Sequence, residues 1–347
     1  MGLATHLQLP DLVALQLQGW SDEALATAQI EGEILQLNSV RASAARRLGL
    51  ADGKKNKRDA RAEATLNLLQ GALQNSHRAL SHQTLFDWQA ALFPTGRSGT
   101  QKILTGAYRT HSEPMQIVTP RMGKPDLVHY QAPASEDVKG HMDLFIQWFN
   151  SSLGKQDGLV RAALAHLWFE TIHPFEDGNG RIGRALVEMA LAQDLQTEQR
   201  LWSLSQQIWH ERSAYYEQLQ SATSSANMDV TPWVQWFVAC IHKAADSSWG
   251  QMQSAMRKTR FWADLRELHL SLTPSQSKAI NKLYDAGPDG FSGGLSTEKY
   301  VNLCGVSRAT AYRELTALCE AGLLVQTGSG RGTRYQLHHA EGMGSAL

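Results

Sequence analysis

The feature that most constrains the fold of this chain is a pair of helical apolar patterns separated by one short loop rich in glycine. GLVRAALAHLWFETIH (158–173) places apolar residues at helical spacing, and RIGRALVEMALAQDL (181–195) resumes that spacing after PFEDGNG. The two patterns predict helices that meet at the loop. Other segments share the helical spacing, namely 62–93, 136–153, 201–220, 230–270 and 274–285. The sequence therefore predicts a mostly α protein.

Three other segments carry different local signals. Residues 114–133 contain two short β-prone runs around a turn with proline and glycine, which predicts a β-hairpin. GKKNKRDAR (53–61) predicts a solvated, charged loop. Nearer the N-terminus, Ser21 is followed by two acidic residues and predicts the start of a helix. Gly32 would then lie inside this helix at a cost of about 1 kcal/mol.

The length of the chain predicts several domains. At 347 residues it exceeds what one hydrophobic core usually supports, so we expect two or three domains. We place an N-terminal helical module at 1–77, a core domain at 78–248, a helical linker at 249–270 and a C-terminal domain at 271–340.

Charge and composition exclude several classes of protein. The chain has 33 Lys and Arg against 33 Asp and Glu, so no overall field attracts nucleic acid or an anionic membrane. The three cysteines are far apart and lack the spacing of a disulfide framework or a zinc site, which fits a reducing cytosol. No apolar run approaches the ~18 residues that span a bilayer, and MGLATHLQLPDL does not resemble a signal peptide. We expect a cytoplasmic protein without a membrane partner, and a homodimer stays among the alternatives.

The loop and the start of the second helix hold the densest group of chemically useful residues. Gly178 and Gly180 let an anion approach the backbone closely, at the helix end where unpaired N–H groups and the positive dipole face the loop. Arg181 and Arg184 are three residues apart, so both project from nearby faces and can grip phosphate oxygens. These residues predict an anion site at the start of the helix.

Two further residues add reactivity to the anion site. Asp177 is a hard oxygen ligand of the kind that Mg²⁺ shared with a phosphate requires. His173 closes the preceding helix and can act as a general base near neutral pH. Together with the arginines, these groups predict phosphoryl or nucleotidyl transfer.

The loop has two other interpretations. GNGRIG also matches the G-x-G-x-x-G fingerprint of dinucleotide-binding folds, with Glu198 near the place of the ribose-binding acid. That fingerprint has to follow a β-strand, whereas a helical pattern precedes it in this chain. A purely structural helix–loop–helix would explain the glycines, but not the clustering of a histidine, an aspartate and two arginines.

HPFEDGNGRIGR (173–184) resembles the signature H-x-F-x-[D/E]-G-N-G-R-x-x-R of the Fic family without a mismatch. A looser resemblance extends over about 80–245. It implies an all-helical bundle with one β-hairpin flap and the transfer of AMP from ATP to a Ser, Thr or Tyr hydroxyl of a target protein. His173 would be the catalytic base, Asp177 would hold Mg²⁺, and Phe175 would be the buried anchor of the loop. Nucleotide-binding residues implied by the resemblance are Gly178, Asn179, Gly180, Arg181 and Arg184.

The resemblance also assigns roles outside the motif. The hairpin would align an extended segment of the target by main-chain hydrogen bonds. Val128, His129 and Tyr130 on its second strand would cover the nucleotide, and Tyr215 would lie near the nucleoside. In each case ordinary packing is the alternative, because a short hairpin can simply cover a core and a tyrosine pair can simply be amphipathic.

An upstream segment resembles the inhibitory-helix motif [S/T]-x-x-x-E-[G/N] that accompanies many Fic domains. Thr27 and Glu31 supply its ends and share one helix face. The resemblance implies that Glu31 pairs with Arg184 and takes the place of the ATP γ-phosphate. It also offers a reason for Gly32, namely a close approach of the helix to a neighbour. An ordinary solvated glutamate is the alternative.

The C-terminal region resembles a winged helix. VSRATAYRELTALCEAGLL would hold the recognition helix with Ser307 as its N-cap, and TGSGRGT would be the wing. DNA binding through 296–337 would use arginines of these segments, namely Arg308, Arg313, Arg331 and Arg334. Residues 271–347 contain seven Lys and Arg against six Asp and Glu, a weak balance for a DNA-binding surface. Protein contact or dimerisation is the competing role.

Three hypotheses for function follow from these observations. The first is a Mg²⁺-dependent protein adenylyltransferase that Glu31 restrains. In the second, the same site runs in reverse and removes AMP from a modified target, with Glu31 activating water. The third is a DNA-binding regulator whose core senses nucleotide. The intact motif favours the first hypothesis, because it retains every group that transfer requires.

Overall fold

The computed structural model describes the backbone of most of the chain, in two compact units. The described residues are 9–50, 59–111, 115–119, 127–199, 201–224, 229–286, 291 and 293–338, with side chains left out at 9–11, 116–119, 127–130, 224 and 331. The larger unit is Gln16–Ala245, and the smaller one contains the described residues 9–15 and those from Asp246 onward. The loop predicted at 53–61 lies largely outside the described residues.

Helices make up most of the larger unit, as the sequence predicts. They are α1 (Leu9–Ile30), α2 (Leu37–Arg47), α3 (Ala60–Gln74), α4 (His82–Leu92), α5 (Ser135–Ser151), α6 (Gly158–Ile172), α7 (Asn179–Leu195), α8 (Leu204–His210), α9 (Arg212–Ser224) and α10 (Thr231–Glu267). The boundary between Ala245 of the larger unit and Asp246 of the smaller unit lies within α10.

Two short antiparallel hairpins accompany these helices. The predicted hairpin is present as β3 (Gln116–Thr119) and β4 (Leu127–Gln131), with a register irregularity between Ile117 and Val118. The other hairpin, β1 (Arg97–Ser98) and β2 (Gln101–Lys102), was not predicted. Its strands have only two residues each, which is too short for an alternating pattern.

Helices α6 and α7 pack against each other at the centre of the larger unit. Alanines are frequent on both helices and buried, so the two backbones can approach closely. Aromatic side chains fill the space around them, among them Phe145, Phe169, Phe175 and Phe237. Each such fully buried side chain contributes about 1.5–3 kcal/mol of transfer free energy. This packing holds the loop between α6 and α7 in one place.

The predicted start of a helix at Ser21 is wrong. Helix α1 runs without a break from Leu9 to Ile30, and the Ser21 hydroxyl donates to the carbonyl of Leu17 at 2.6 Å. Trp20, Ala24 and Ala28 of the same helix are buried in a cluster with residues of α3. This tertiary burial outweighs the local capping signal of a serine followed by acidic residues.

The predicted position of Gly32 inside the helix is also wrong. Gly32 follows the helix with φ +76°, and its N–H donates to Gln29 at 3.0 Å while that of Glu33 donates to Ala28 at 2.9 Å. This is the hydrogen-bond pattern of a Schellman C-cap. A Cβ at Gly32 would meet nothing within 4 Å, so the left-handed backbone, and not a close neighbour, accounts for the glycine. Glu31 is therefore the last residue before the turn.

The smaller unit has the predicted winged-helix architecture. Its elements are α11 (Pro274–Asp285), α12 (Thr297–Cys304), α13 (Arg308–Glu320), β5 (Leu324–Thr327) and β6 (Arg334–Leu337). The strands pair antiparallel, and Leu295 bridges to Tyr335. Ser307 caps α13 as predicted, since its hydroxyl accepts from the N–H of Thr310 at 3.1 Å. Among the helices that the structure describes, none is long and apolar enough to cross a membrane.

Candidate active site at the loop between α6 and α7

The glycine-rich loop is held in one shape by its own side chains. Phe175 is fully buried, as expected of an anchor, and its backbone N–H and C=O bond to the Asn179 side-chain amide at 2.9 and 2.8 Å. The Asn179 side chain is thus used by the loop itself. Gly178 has φ +92°, and a Cβ there would lie 3.0 Å from the ring of Phe93. Both the backbone conformation and the space require glycine at this position.

The first turn of α7 brings both arginines of the motif to a helix N-terminus. Arg181 and Arg184 are almost completely buried. The first N–H groups of a helix have no partner within it, and the dipole places positive potential there. The carboxylate of Glu31 already lies against this turn, because a Cβ on Gly180 would overlap its Oε1. The site is therefore strongly electropositive, and a carboxylate occupies part of it.

Glu31 and Thr27 both bind Arg184. The Arg184 guanidinium donates from Nη2 to Glu31 Oε1 at 2.5 Å and from Nε to Thr27 Oγ1 at 2.7 Å. Burial by itself raises the pKa of Glu31, but the charge of Arg184 and its hydrogen bond hold that pKa below its usual value. Glu31 also lies at the C-terminal end of α1, where the helix dipole disfavours a carboxylate. The ion pair with Arg184 offsets that cost.

Arg181 has its own acidic partner, which sequence reasoning did not identify. Its Nη1 donates to Glu33 Oε1 at 2.9 Å, and its guanidinium lies 5.0 Å from the centre of the Phe93 ring. A weaker contact of 3.4 Å joins Nη2 to Asp177. The segment that follows α1 thus places one carboxylate on each arginine of the motif.

His173 stands at the end of α6 in a strained conformation. Its φ is 49°, in the left-handed region that residues other than glycine rarely adopt. The buried residue Arg109 fixes the backbone there. Its side-chain Nε donates to the carbonyl of His173 at 2.8 Å, and its backbone N–H donates to the carbonyl of Pro174 at 2.9 Å. Burial lowers the pKa of His173 to about 4, so the imidazole is neutral at pH 7 and can accept a proton.

Asp177 lies at the same loop with its carboxylate partly exposed. It accepts hydrogen bonds from the Ser98 hydroxyl of β1 and from the N–H of Gly178, the latter at 2.5 Å. Among the described residues, no group of three His, Cys, Asp or Glu side chains could hold a metal ion. One carboxylate beside an anion site nevertheless fits Mg²⁺, which commonly takes one or two protein carboxylates and completes its shell with phosphate oxygens and water.

The remaining predicted residues of the core lie in two other places. Val128, His129 and Tyr130 belong to β4, which runs beside α9, and their side chains are outside the description. Tyr215 is buried, and its hydroxyl lies 3.0 Å from Nε2 of His166. The place of Tyr215 near the nucleoside stays a prediction.

The arginines of the winged helix differ in their partners. Arg308 and Arg313 are exposed on α13. Arg334 donates to the carbonyls of Gly293 and Thr333, each at 2.8 Å. The side chain of Arg331 is outside the description.

The functional candidates that sequence reasoning missed are Glu33, Arg109 and Glu170. Glu33 follows Glu31 by two residues, and a second acid so close to the inhibitory motif was the available signal. Arg109 had no signal, because a single arginine in a loop points to nothing. Glu170 sits three residues before His173 on a helical pattern and could have been noted as an acid on an otherwise apolar helix.

Comparisons with known proteins agree with this geometry. Residues 79–191 match the model of the Fic/DOC family, residues 292–338 match the C-terminal domain of DIP2311-like transcriptional regulators, and residues 1–50 match a domain of unknown function, DUF4172. The chain is 27% identical to "Protein adenylyltransferase Fic" of Nematostella vectensis over 143 residues, which are 40% of this chain and 30% of that protein. It is 29% identical to the protein of that name from Drosophila virilis over 165 residues, 46% and 32% of the two chains. The matched region is thus about a third of the length of these curated relatives.

A solved structure supports the fold over nearly the whole chain. A Fic family protein from Desulfovibrio desulfuricans aligns with 97% of this chain and 91% of its own, with a TM-score of 0.51 and 22% identity. At this identity the likeness concerns the fold alone.

Proposed function

The domain at residues 79–191 belongs to the Fic/DOC family, and from that premise we propose that the chain is a protein adenylyltransferase held inactive by its own N-terminal segment. It transfers AMP from ATP to a Ser, Thr or Tyr hydroxyl of a target protein. The observation that carries the proposal is that carboxylates already bind both arginines of the loop motif. Glu31 binds Arg184 at 2.5 Å, and Glu33 binds Arg181 at 2.9 Å. Two carboxylates there stand where a polyphosphate would be bound.

In the transfer step, His173 removes the proton from the target hydroxyl. The hydroxyl oxygen forms a bond to the α-phosphorus of ATP, and the bond from that phosphorus to the oxygen bridging to the β-phosphate breaks, so that pyrophosphate leaves. A neutral imidazole is the form that accepts a proton, and burial keeps His173 in that form. Arg109 fixes the backbone from which the ring projects.

The start of α7 holds the nucleotide. The backbone from Gly178 to Gly180 surrounds the phosphates, and Arg181 and Arg184 neutralise their charge. Asn179 contributes through its backbone and through the bonds that hold the loop. Asp177 would hold Mg²⁺, which when bound neutralises phosphate charge. The flap residues Val128, His129 and Tyr130 would cover the nucleotide, and the free edge of the hairpin would align an extended segment of the target.

Inhibition is competition for the arginines. Glu31 and Thr27 hold Arg184, and Glu33 holds Arg181, so triphosphate has to displace both carboxylates before it binds in a productive alignment. Because the two acids are two residues apart on one segment, displacement of one weakens the attachment of the other.

The test is incorporation of label from α-labelled ATP, with Mg²⁺, in a cell lysate. We expect weak labelling with the unchanged protein, strong labelling with Glu31→Gly, and none with Glu31→Gly combined with His173→Ala. Glu217→Gln on α9 serves as a control for loss of one acid elsewhere. Equal labelling by Glu31→Gly and the unchanged protein would contradict inhibition, and labelling that persists without His173 would contradict the mechanism.

Hydrolytic removal of AMP from a modified target, the second hypothesis, is disfavoured by the state of Glu31. Removal of AMP would need Glu31 as the base that activates water, and Arg184 holds the pKa of Glu31 below its usual value. The Glu31 carboxylate is also bound by the Arg184 guanidinium at 2.5 Å, which leaves it less available to a water molecule. Release of AMP from a pre-modified target that disappears with Glu31→Gly would reverse this preference.

A further inference from the structure

A line of buried polar side chains extends from His173 into the core. Glu170 and His166 lie four residues apart on α6 and therefore on one face of the helix. Both are buried, as is Tyr215 on α9. Tyr215 Oη lies 3.0 Å from His166 Nε2, and Glu170 Oε2 lies 3.6 Å from His173 Nδ1. Core helices rarely carry such groups without a reason, because each buried polar group that lacks a partner costs about 1–3 kcal/mol.

Gly183 on α7 provides the space for this line. A Cβ at Gly183 would lie 2.7 Å from Glu170 Oε1 and 3.1 Å from His166 Nδ1, so both atoms sit against the same glycine. Within the part of the chain that the structure describes, neither of these atoms, nor Nδ1 of His173, has a hydrogen bond of good geometry. The backbone of Gly183 interacts with the His166 ring, and that of Glu170 with the His173 ring. Glu170 therefore has Oε2 beside Nδ1 of His173 and Oε1 against the same glycine as Nδ1 of His166.

The chemistry of a histidine base explains what such a line is for. A neutral imidazole carries one proton, and His173 can take a proton through Nε2 only if its own proton is on Nδ1. An acceptor beside Nδ1 selects that tautomer and then stabilises the imidazolium. The backbone carbonyl of Glu170 interacts with the same ring. The Glu170 carboxyl group is the second acceptor, and of the two it is the one that can ionise.

We propose that Glu170 is the positioning residue of His173: its carboxylate accepts the Nδ1 proton and leaves Nε2 facing the target hydroxyl, while His166, bonded to Tyr215, fixes Glu170 from behind. This inference rests on the proposed function, since it assigns how the base of that reaction is prepared. The proposal also assigns the imidazole of His166 and the hydroxyl of Tyr215 a role, which is to hold the Glu170 side chain in position.

Charged groups around the line set its pH range. Burial is the main cause that raises the pKa of Glu170 to about 8; the charge of Glu31 contributes to this rise, and that of Arg184 opposes it. The low pKa of His173 has burial as its main cause, and Arg109 adds to it, while Glu31 and Asp177 act in the opposite direction. Burial lowers the pKa of His166 to about 3. Glu170 is therefore the group of the line that changes charge between pH 7 and 9.

The kinetic test uses Glu31→Gly as the active background. Glu170→Leu should lower kcat about 10²-fold, the loss that follows misplacement of a reacting group, with little change in KM for ATP. Glu170→Gln keeps an acceptor without the charge, so it should keep more of the rate and lose the rise of kcat that accompanies ionisation of Glu170. In the Glu31→Gly background this rise lies at a lower pH than in the unchanged protein, because the charge of Glu31 no longer raises the pKa of Glu170. Glu23→Gln is the matched control, since Glu23 is also buried but binds Ser203 and Ser205. If Glu170→Leu keeps both the rate and the pH profile, the carboxyl only fills space and the proposal is wrong.

A second measurement does not depend on transfer. Nitrogen NMR of the His173 ring at pH 9 should show the proton on Nδ1 in the Glu31→Gly protein and a shift toward Nε2 in its Glu170→Leu derivative. If the tautomer responds but no variant labels any protein, the proposed function fails and the positioning role stands. An unchanged tautomer would show that the backbone carbonyl alone sets it, and would overturn the proposal.

Gly183→Ala keeps the test valid if Glu170→Leu does not fold. The added methyl would lie 2.7 Å from Glu170 Oε1 and 3.1 Å from His166 Nδ1, so it displaces the end of the Glu170 side chain and crowds the His166 ring while both residues remain. Alanine favours a helix over glycine by about 1 kcal/mol, which offsets part of the cost of this crowding, and the thermal midpoint measures the remainder. A fall in kcat with an unchanged thermal midpoint supports positioning, and an unchanged kcat contradicts it.

Discussion

The two ends of the α6–α7 pair each bury an arginine, and the partners of the two arginines differ. At the loop end, Arg184 binds the carboxylate of Glu31. At the other end, Arg161 donates to the carbonyl of Phe149 at 2.7 Å and to the Gln193 side chain at 2.8 Å. Burial tends to lower the pKa of both, yet Glu31 raises the pKa of Arg184, whereas that of Arg161 falls to about 10.

The difference distinguishes an arginine that can change partners from one that cannot. A carboxylate on a chain segment can leave and a phosphate can replace it, because both are anions. A backbone carbonyl at the end of α5 is fixed, and an arginine that binds it serves the fold. We infer that the chemical nature of the partner, more than burial, identifies a buried arginine that is available to a substrate.

The largest effect that this comparison predicts is on transfer. In the Glu31→Gly background, Arg184→Ala should lower kcat/KM for ATP about 10²–10³-fold, because a preorganised donor to the phosphates is removed. Arg161→Met should leave the rate per folded molecule unchanged. Label incorporation, corrected for the folded fraction, measures both. Equal losses for the two variants would break the comparison.

Stability should respond in the opposite order. Arg161→Met takes this donor from the Ser152 hydroxyl and the Gln193 side-chain oxygen, and leaves the carbonyl of Phe149 only the longer bond of 3.3 Å from Ser152. The loss should cost about 2–4 kcal/mol of unfolding free energy. Arg184→Met combined with Glu31→Gln removes both charges together and should stay within about 1 kcal/mol of the unchanged protein. Urea unfolding of the two proteins gives the difference. A larger loss for the double variant would mean that the Arg184 pair also serves the fold.

The same distinction explains how much of the molecule could be predicted from sequence. Helices α6 and α7, the β3–β4 hairpin and the wing were predictable because each has a local pattern. The course of α1 through Ser21 was not, because burial of Trp20 decides it and burial is a property of the whole fold. The β1–β2 hairpin has no pattern long enough to detect.

For the site, the residues of the loop were predictable and their distant partners were not. The proposed base, the proposed metal ligand and both arginines lie in twelve consecutive residues, so the sequence alone suggests their chemistry. Glu33 meets Arg181 across 148 positions of sequence, and Arg109 meets His173 across 64. The contact of Glu31 with Arg184 was expected only through resemblance to a family motif. The functional roles of all these residues stay predictions until the variants are measured.

Acidification should break the ion pair between Glu31 and Arg184 and leave the hydrogen bond of Arg161 to the Phe149 carbonyl intact. The folded pKa of Glu31 lies below its usual 4.5, so its contribution to stability is present above about pH 4.5 and is lost as the pH falls through the folded value. Arg161 and its acceptors do not titrate there. Hydrogen exchange at the end of α1 should therefore become faster on acidification, relative to α5, and Glu31→Gln should remove this dependence. Equal acceleration in both helices would indicate general unfolding instead.

The smallest effects are expected in the winged helix, where the comparison can be repeated. Arg334 donates to two backbone carbonyls, as Arg161 does to one, so Arg334→Ala should cost about 1 kcal/mol. Arg308→Ala with Arg313→Ala should change stability by less than about 0.5 kcal/mol, because both side chains are exposed. By the partner criterion, this exposed pair is available to a nucleic acid, whereas Arg334 is not; the comparison covers the predicted DNA-contact arginines whose side chains the structure describes. If the unit binds DNA, removal of Arg308 and Arg313 should lower the slope of the logarithm of the binding constant against the logarithm of the salt concentration, by about one for each phosphate that is no longer neutralised. Arg334→Ala should leave this slope unchanged. A DNA complex that depends on Arg334 and not on the pair on α13 would show that the nature of the partner does not identify available arginines outside the loop site.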